Sequence, residues 1–554
     1  MNPPLRVGIL LDSDVIPIWV RNLADAIAAG DHATICVLMV DADRRSASRP
    51  ENDAQSKVDW VRRVKAKLDR IYQRIVERER SQPDAWRSVS DPGVLRDIPR
   101  LKKSAAVLSA EEAESMRGED IDVWLHCGLR KVADDVIALA KMGVWSVLPT
   151  SANFDSPLPA GFWPSIRGDA LTRTILTMTR AGEAPLVLYE SHGSTSRFST
   201  HDNISRYYAK GTQLYLRMLR RLSELGAQAL IAERTAQVVD QTLAGAEHSR
   251  MPGMLRYAGI VCLAVYRKII LLFQNTLFET RWTLRRARPL QHGAALELGA
   301  LLPNPAAVFR ADPHFLTHQG RHYLFIEEYC YKAGKGHISV QECASDGQLI
   351  GEMVKVLDRP YHLSYPFVFE HDGDVYMVPE TSENKTIEIY KATDFPHGWT
   401  FQQNLMDDID AADSTLLFED GKWWLFANVR SGVGVSSWDE LFLFVSDDLW
   451  SGAWRAHPMN PIVSDCRTAR PAGAILRRDG KLIRPSQEST ARYGSGLNFL
   501  EIETLTETVY KERLITRLHP LGFGRAQGIH SYAERAGFAI VDENVRRLRI
   551  FYSR

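Results

Sequence analysis

Asp312-Pro-His-Phe-Leu-Thr-His-Gln-Gly-Arg-His-Tyr-Leu-Phe-Ile-Glu-Glu328 is the stretch that decides the fold of this 554-residue chain. Apolar and aromatic residues run into a turn at Gly320 and a second apolar run leaves it, which predicts a β-hairpin. The pattern recurs at Gly373, Gly421, Gly480 and, more weakly, Gly537. Separations of roughly 50–60 residues are those of propeller blades. The repeats therefore predict a five-bladed β-propeller around a central channel.

The spacing of the repeats also predicts where polar residues gather. About eight residues before each glycine and about seven after it, the two strands of a hairpin lie opposite each other, far from the turn. These positions hold Asp312, Tyr365, Asp413, Arg470 and His530 before the turns, and Glu327, Glu380, Asn428 and Gln487 after them. If each hairpin is the inner pair of its blade, these side chains form a carboxylate-rich site at one mouth of the channel.

Composition limits the classes of function. The formal net charge is zero, so no whole-chain field favours nucleic acid, and we expect no nucleic-acid partner. The six cysteines are scattered without metal-ligand spacing, which predicts a reducing compartment. We predict no metal site and no cofactor, and a cation in the propeller channel stays an open alternative. The short apolar run at the N-terminus stops at Asp12 and lacks the features of a secretory signal, so we expect a cytoplasmic protein.

The first part of the chain alternates strand and helix patterns. Strands are predicted at Val7–Leu11, Thr34–Val40, Asp122–Gly128 and Gly143–Leu148, and helices at Ile16–Ala29, Val58–Arg80 and Val132–Lys141. This alternation predicts a parallel, doubly wound α/β sheet. No Gly-x-Gly-x-x-Gly motif follows a predicted strand here, so a dinucleotide site has no support.

Three segments of this part carry a resemblance. Gly143–Ser146, Pro159–Gly168 and Thr172–Thr179 resemble the formyltransferase fold, over roughly residues 1–220. The family uses an Asn, a His and an Asp, but here Ser146-Val-Leu-Pro149 stands where its histidine should follow. Transfer without a general base and an oxyanion stabiliser loses much of its catalysis. We interpret the domain as a catalytically silent relative, and a formyl or acyl transferase acting through it remains an alternative.

A helical connector is predicted over residues 221–300, between the α/β domain of residues 1–220 and the propeller of residues 301–554. Its segment Met254–Phe278 is the most apolar of the chain, but Arg267 and Lys268 divide it, and a spanning helix needs about twenty apolar residues. One interpretation is a helix packed between domains. The other is an interfacial helix in peripheral membrane contact, because a basic and aromatic flank follows, formed by Arg281, Trp282, Arg285, Arg286 and Arg288.

The repeat region resembles two groups of proteins. Ala311-Asp-Pro313, Asp394–Trp399 and Ser446–Pro461 resemble segments of the five-bladed propellers of the glycoside hydrolase clan that includes arabinanases and β-xylosidases. A closer resemblance is to the N-terminal propeller domain of the plant glucosamine inositolphosphorylceramide transferases. It is carried by His362–Val368, Tyr376–Ser382, Ala469–Gly473 and Arg484–Gln487.

The glycosidase resemblance implies three acids at the channel mouth: a base or nucleophile, a proton donor and an orienting carboxylate. Asp312 matches the base, and Asp413 is a second acid on an inner strand. Glu380 is the predicted proton donor, because Pro379 and the apolar strand beside it would raise its pKa. The order departs from the clan, since Tyr365 takes the position of the clan's second acid. The predicted substrate contacts are Arg470, Gln487, His362, His530, Glu327 and Tyr365.

Three of these candidate residues also have a purely structural interpretation. Asp312 before a proline is typical of a turn, His362 of a satisfied core histidine, and Arg470 of a bridge between blades. The leading hypothesis is a carbohydrate-active enzyme, a glycosidase or transglycosylase, which acts on a surface polysaccharide or glycolipid precursor in a biosynthetic setting. The second is a non-catalytic glycan-binding module that assists a glycosyltransferase.

Overall fold

A computed structural model describes residues 3–41, 85–103, 114, 116–128, 132–147, 159–236, 254–290, 296–519, 526–535 and 537–548. The predicted helix at Val58–Arg80 lies outside the described residues. The chain divides into two compact units, one formed mainly by residues up to 271 and the other mainly by residues from 272 onwards.

The first unit is built on a seven-stranded sheet with the spatial order β3-β2-β1-β4-β5-β6-β7. Its strands are β1 (Leu5–Leu11), β2 (Ala33–Asp41), β3 (Arg100–Lys103), β4 (Val123–His126), β5 (Val144–Ser146), β6 (Leu171–Thr179) and β7 (Leu186–Ser194). The first five in this order are parallel, whereas β6 runs antiparallel to β5. The predicted parallel sheet therefore holds only as far as β5, and the resemblance to formyltransferases stays a prediction.

The side chains of strand β1 show that this sheet is covered on both faces. Val7 and Ile9 pack into one apolar core, and Leu10 packs into a second core together with Trp124. The sequence of a strand that is buried on both faces is a continuous apolar run, as it is in Val7–Leu11.

Six helices are described in this part of the chain: α1 (Ile18–Ala28), α2 (Asp134–Ile137), α3 (Phe162–Arg167), α4 (Thr200–Leu225), α5 (Ala227–Ala236) and α6 (Met254–Leu277). Helix α4 begins after Ser199, whose hydroxyl accepts a hydrogen bond of 3.0 Å from the Asp202 amide. Helix α6 is the predicted apolar helix. Within the described residues, none of the helices combines the length and the hydropathy that a membrane crossing requires.

The second unit consists of five four-stranded sheets, so the predicted five blades are confirmed. Blade one is β10 (Val308–His318), β11 (Arg321–Cys330), β12 (Lys335–Cys343) and β13 (Leu349–Leu357). Blade two is β14 (Ser364–His371), β15 (Asp374–Glu380), β16 (Ile387–Asp394) and β17 (Gly398–Met406). Blade three is β18 (Ala411–Glu419), β19 (Lys422–Val429), β20 (Leu441–Ser446) and β21 (Arg455–Ala456). Blade four is β22 (Leu476–Arg478), β23 (Lys481–Glu488), β24 (Gly496–Leu505) and β25 (Tyr510–Leu518).

Blade five joins distant parts of the chain. Its strand order is β26 (Ala526–Arg535), β27 (Phe538–Leu548), β8 (Phe278–Ala287) and β9 (Leu298–Leu301). The propeller therefore begins at β8, and the predicted connector of residues 221–300 wrongly includes two of its strands. All of the predicted basic flank of α6 except Arg288 lies in β8, where Trp282 packs on His530 and Arg285 pairs with Glu543.

The hairpin turns confirm the repeat. Four of them are two-residue loops in which both residues have positive φ, as type I′ turns require. The pairs are Gln319–Gly320 (51° and 78°), Asp372–Gly373 (50° and 81°), Asp420–Gly421 (51° and 73°) and Asp479–Gly480 (50° and 74°). Glycine takes this conformation without the penalty that a Cβ atom brings, which is why the glycines mark the period.

Candidate functional site

The inner strands bulge at the end away from the turns. Asp312, Tyr365 and Asp413 have φ of 51°, 44° and 53°, and each lies where its strand's pairing register shifts. A bulge of this kind turns a side chain out of the alternation of the strand. The residues before them, Ala311, Ser364 and Ala412, pair with Glu327, Glu380 and Asn428, so the structure brings the predicted positions together as the spacing indicated.

Carboxylates satisfy the amide groups that the bulges release from the ladder. The Asp312 amide donates to Asp542 Oδ2 at 3.0 Å, the Tyr365 amide to Asp312 Oδ2 at 3.3 Å, and the Asp413 amide to Glu380 Oε2 at 3.3 Å. A buried amide without a partner is costly, so these acids hold the bulges in place. Asp312 and Glu380 therefore link neighbouring blades.

One guanidinium joins two of the predicted catalytic acids. Arg470 donates from Nε to Asp413 Oδ2 at 2.6 Å, and from Nη2 to Asp413 Oδ1 at 3.2 Å and to Glu380 Oε2 at 3.4 Å. Gln487, fully buried, donates to Asp413 Oδ2 at 2.8 Å and to the carbonyl of Pro471 at 3.0 Å. Arg470 and Gln487, predicted as substrate contacts, therefore bind the protein's own Asp413.

A second buried group surrounds His530. Its Nδ1 lies 2.8 Å from Asp542 Oδ1 and its Nε2 lies 3.3 Å from Asp312 Oδ1. Burial lowers the pKa of His530, but the carboxylates of Asp542 and Asp312 outweigh it and leave the pKa above its usual value. The three side chains offer ligand atoms within 4.8 Å of one another, so they form a group that could hold a cation. The repeat spacing indicated Asp312 and His530, whereas sequence reasoning missed Asp542.

The outer part of the site is formed by Glu327, Glu380 and His362. The Gly336 amide donates to His362 Nδ1 at 2.9 Å, which places the imidazole proton on Nε2, 3.4 Å from Glu327 Oε1. The His362 side chain is 32% exposed, so this edge is the one that a ligand could reach.

The pKa values of Glu327 and Glu380 are shifted in opposite directions. Burial, together with the charges of Asp312 and Glu380, raises the pKa of Glu327 well above its usual value. Burial also raises the pKa of Glu380, but Arg470 and the hydrogen bonds from Asp413 and Ser382 outweigh it and leave this pKa lowered. The prediction that Glu380 has the raised pKa of a proton donor is therefore wrong, because the sequence did not show that Arg470 would lie beside it.

Tyr365 is also placed differently from the prediction. It is fully buried, its hydroxyl accepts from the Gly473 amide at 2.8 Å, and the same oxygen lies 2.9 Å from Thr415 Oγ1. This tyrosine is a structural link between blades rather than a substrate contact.

Sequence reasoning missed an aromatic group beside the acids. The ring of Tyr493 lies 5.2 Å from His530, 5.8 Å from Trp438 and 6.3 Å from Trp282, and the Arg470 guanidinium lies 4.9 Å from its centre. Tyr493 and Trp438 lie in loops between strands, where the hairpin repeat gives no signal. Trp423 and Trp424, by contrast, pack in the apolar cores of the propeller.

The fold and the site define a class of domain: a five-bladed β-propeller with a cluster of acids at the end away from its hairpin turns. Residues 301–519 match the family described as glucosamine inositolphosphorylceramide transferase 1, N-terminal. The glucosamine inositolphosphorylceramide transferase 1 of Oryza sativa subsp. japonica is 35% identical over 206 residues, which cover 37% of this chain and 27% of the rice protein. The Arabidopsis thaliana protein of the same name is 31% identical over 206 residues, with the same coverage.

These matches confirm that the C-terminal half resembles this domain, and the matched region spans only about 27% of the length of the curated relatives.

Two solved structures are also similar. Zg3597, a family 117 glycoside hydrolase from Zobellia galactanivorans, is 10% identical and covers 48% of this chain and 90% of its own, with a TM-score of 0.33. The α-L-arabinofuranosidase PaAbf62A from Podospora anserina is 12% identical. The match covers 49% of this chain and 98% of the arabinofuranosidase chain, with a TM-score of 0.34.

Proposed function

We propose that the propeller is a carbohydrate-active enzyme domain, a glycosidase or transglycosylase, with Glu327 and Glu380 as its acid pair. The observation that carries the proposal is their placement. They hold equivalent positions on the second strands of neighbouring blades, opposite Ala311 and Ser364, and Arg470 contacts Glu380, so their environments separate their pKa values. Two carboxyl groups with separated pKa values supply an acid and a base at one pH.

The proposed chemistry follows from the opposite pKa shifts of the two carboxyl groups. Glu327, protonated, donates its proton to the leaving glycosidic oxygen as the bond to the anomeric carbon breaks. Glu380, ionised, either takes a proton from the attacking water or attacks the anomeric carbon itself, which would give inversion or retention. The His362 Nε2–H points towards Glu327 and would hold that carboxyl in place.

The substrate class follows from the surroundings of the pair. Tyr493 and Trp438 give an apolar wall for the faces of sugar rings. The similarity to proteins named for glucosamine and inositolphosphorylceramide favours a glycolipid or polysaccharide precursor as substrate, in a biosynthetic setting.

A second candidate, a glycan-binding module that assists a glycosyltransferase, is favoured by the bonding of the other acids. Asp312 accepts from Ser531 at 2.7 Å and lies against His530, and Asp413 is held by Arg470 and Gln487. Acids engaged in this way stabilise the blades, and a domain that only binds glycans would need them equally.

Turnover of a panel of oligosaccharides and sugar–inositol phosphate glycolipids tests the first proposal against the second. We expect sugar release or transfer by the wild type, reduced by about 10²- to 10⁴-fold in Glu327→Gln and Glu380→Gln. Glu352→Gln, at an exposed position on β13, is the matched control and should keep full activity. If the wild type binds glycans without any turnover, the enzyme hypothesis is wrong and the glycan-binding module takes its place.

A further inference from the structure

Helix α6 presents an exposed apolar face. The exposed fractions are 60% for Tyr266, 54% for Ile269 and 60% for Phe273, and Leu263 and Leu272 at the edges are 43% and 51% exposed. Residues spaced by three and four lie on one side of a helix, so Tyr266, Ile269 and Phe273 form a continuous stripe. Large apolar groups arranged in this way mark an interaction surface more often than single exposed residues do.

The charge of α6 is of one sign. Residues 254–277 contain Arg256, Arg267 and Lys268 and no aspartate or glutamate. Because successive residues turn by about 100°, Arg267 lies on one side of the stripe, where its guanidinium packs beside Gly168, and Lys268 lies on the other side. Long cationic side chains beside an apolar stripe can keep their charge at a polar boundary while the stripe is buried.

We infer that α6 is an interfacial helix that docks the protein on an anionic lipid surface, with the stripe of Tyr266, Ile269 and Phe273 in the boundary between headgroups and acyl chains. An apolar face edged by cations fits such a surface in both its apolar and its charged part. A second copy of the chain fits less well, because two α6 helices face to face would bring like charges together. The docking does not depend on the chemistry of the propeller.

Flotation of the full chain with lipid vesicles tests the docking. Vesicles of phosphatidylcholine with about a third phosphatidylglycerol should carry the wild type upwards at low salt. Pure phosphatidylcholine vesicles should carry at least tenfold less protein. The double substitution Ile269→Glu and Phe273→Glu should reduce binding to the anionic vesicles at least tenfold, because it places carboxylates in the stripe.

Phe401→Glu is the matched control, since Phe401 is a phenylalanine 44% exposed on β17, outside the helix, and this variant should float like the wild type. Lys268→Glu keeps the stripe and should weaken binding to the anionic vesicles alone. Circular dichroism verifies that each variant is folded. A wild type that stays at the bottom of the gradient with both vesicle types would overturn the inference. So would a concentration-dependent dimer that the double substitution dissociates without any vesicle binding.

Discussion

Arg470 shows how one side chain can decide the chemistry of its neighbours. Its side chain is 9% exposed and contacts both Asp413 and Glu380, so its positive charge offsets the charge of these two buried acids. Glu327, on blade one, contacts His362 but no arginine among the described contacts, and its pKa is raised instead. The difference between acid and base in the proposed pair therefore depends on a residue from blade four.

Arg470→Gln should destabilise the protein strongly. Removing one partner of a buried ion pair leaves uncompensated buried charge, so we expect the free energy of unfolding to fall by about 3–5 kcal/mol in urea titration. Arg321→Gln is the control, because Arg321 makes a comparable pair with Glu342 but its side chain is 63% exposed, and this variant should unfold like the wild type. Equal effects of the two substitutions would contradict the role given to burial.

Tyr365→Phe removes a single oxygen from the link between blades. The Gly473 amide would lose its buried acceptor, so the free energy of unfolding should fall by about 1–3 kcal/mol. Thermal and urea unfolding measure the loss, with Tyr331→Phe, a tyrosine 43% exposed on the protein surface, as the control. A Tyr365→Phe protein as stable as the wild type would show that water replaces the hydroxyl.

The hairpin is the element that the sequence predicts best. Its two-residue turn needs positive φ, glycine provides it, and the period of the glycines then reveals the blades. The bulges on the inner strands could be located but not recognised, because Asp312 and Asp413 look like ordinary strand or turn residues. Their amide partners are residues of other strands, as the bond from Asp312 to Asp542 shows, and no periodicity encodes that contact.

The turn conformation can be tested by two glycine substitutions. Nothing lies within 4 Å of the position of an added Cβ atom at Gly421 or at Gly259, but only Gly421 has positive φ, 73°. Gly421→Ala should therefore destabilise by about 1–2 kcal/mol, whereas Gly259→Ala in α6 should stabilise slightly through helix propensity. Urea unfolding of both variants measures the change in the free energy of unfolding. A Gly421→Ala protein as stable as the wild type would argue against the type I′ turn.

At the scale of the whole molecule, two features close the propeller between blades five and one. Strands β8 and β9 complete blade five, and the group of His530, Asp312 and Asp542 bonds its inner strands to β10. The sequence predicted His530 at the mouth of the channel but could not predict β8, because its partner β27 lies more than two hundred residues away. A strand that pairs at such a distance has no local pattern that marks it as part of the repeat.

This closure should depend on pH. His530 has a raised pKa in the folded protein, so its contribution to stability is complete below the usual value of about 6.5 and is lost as the pH rises through the folded value. We expect the free energy of unfolding of the wild type to fall between neutral and alkaline pH more steeply than that of His530→Gln. Urea unfolding across this range measures both slopes, and parallel slopes would exclude a charged His530.

The most direct measurement is equilibrium binding of a glycan panel, including sugar–inositol phosphate headgroups, to the wild type and to Trp438→Ala. If the acid-lined end of the propeller is a carbohydrate site, at least one glycan binds the wild type and binds Trp438→Ala at least tenfold more weakly. Trp399→Ala, which removes a tryptophan of blade two whose ring packs on Phe325 5.8 Å away, is the control for a general loss of packing and should bind normally if it folds. A glycan that binds the wild type and Trp438→Ala equally, or a panel without any ligand, would contradict the account.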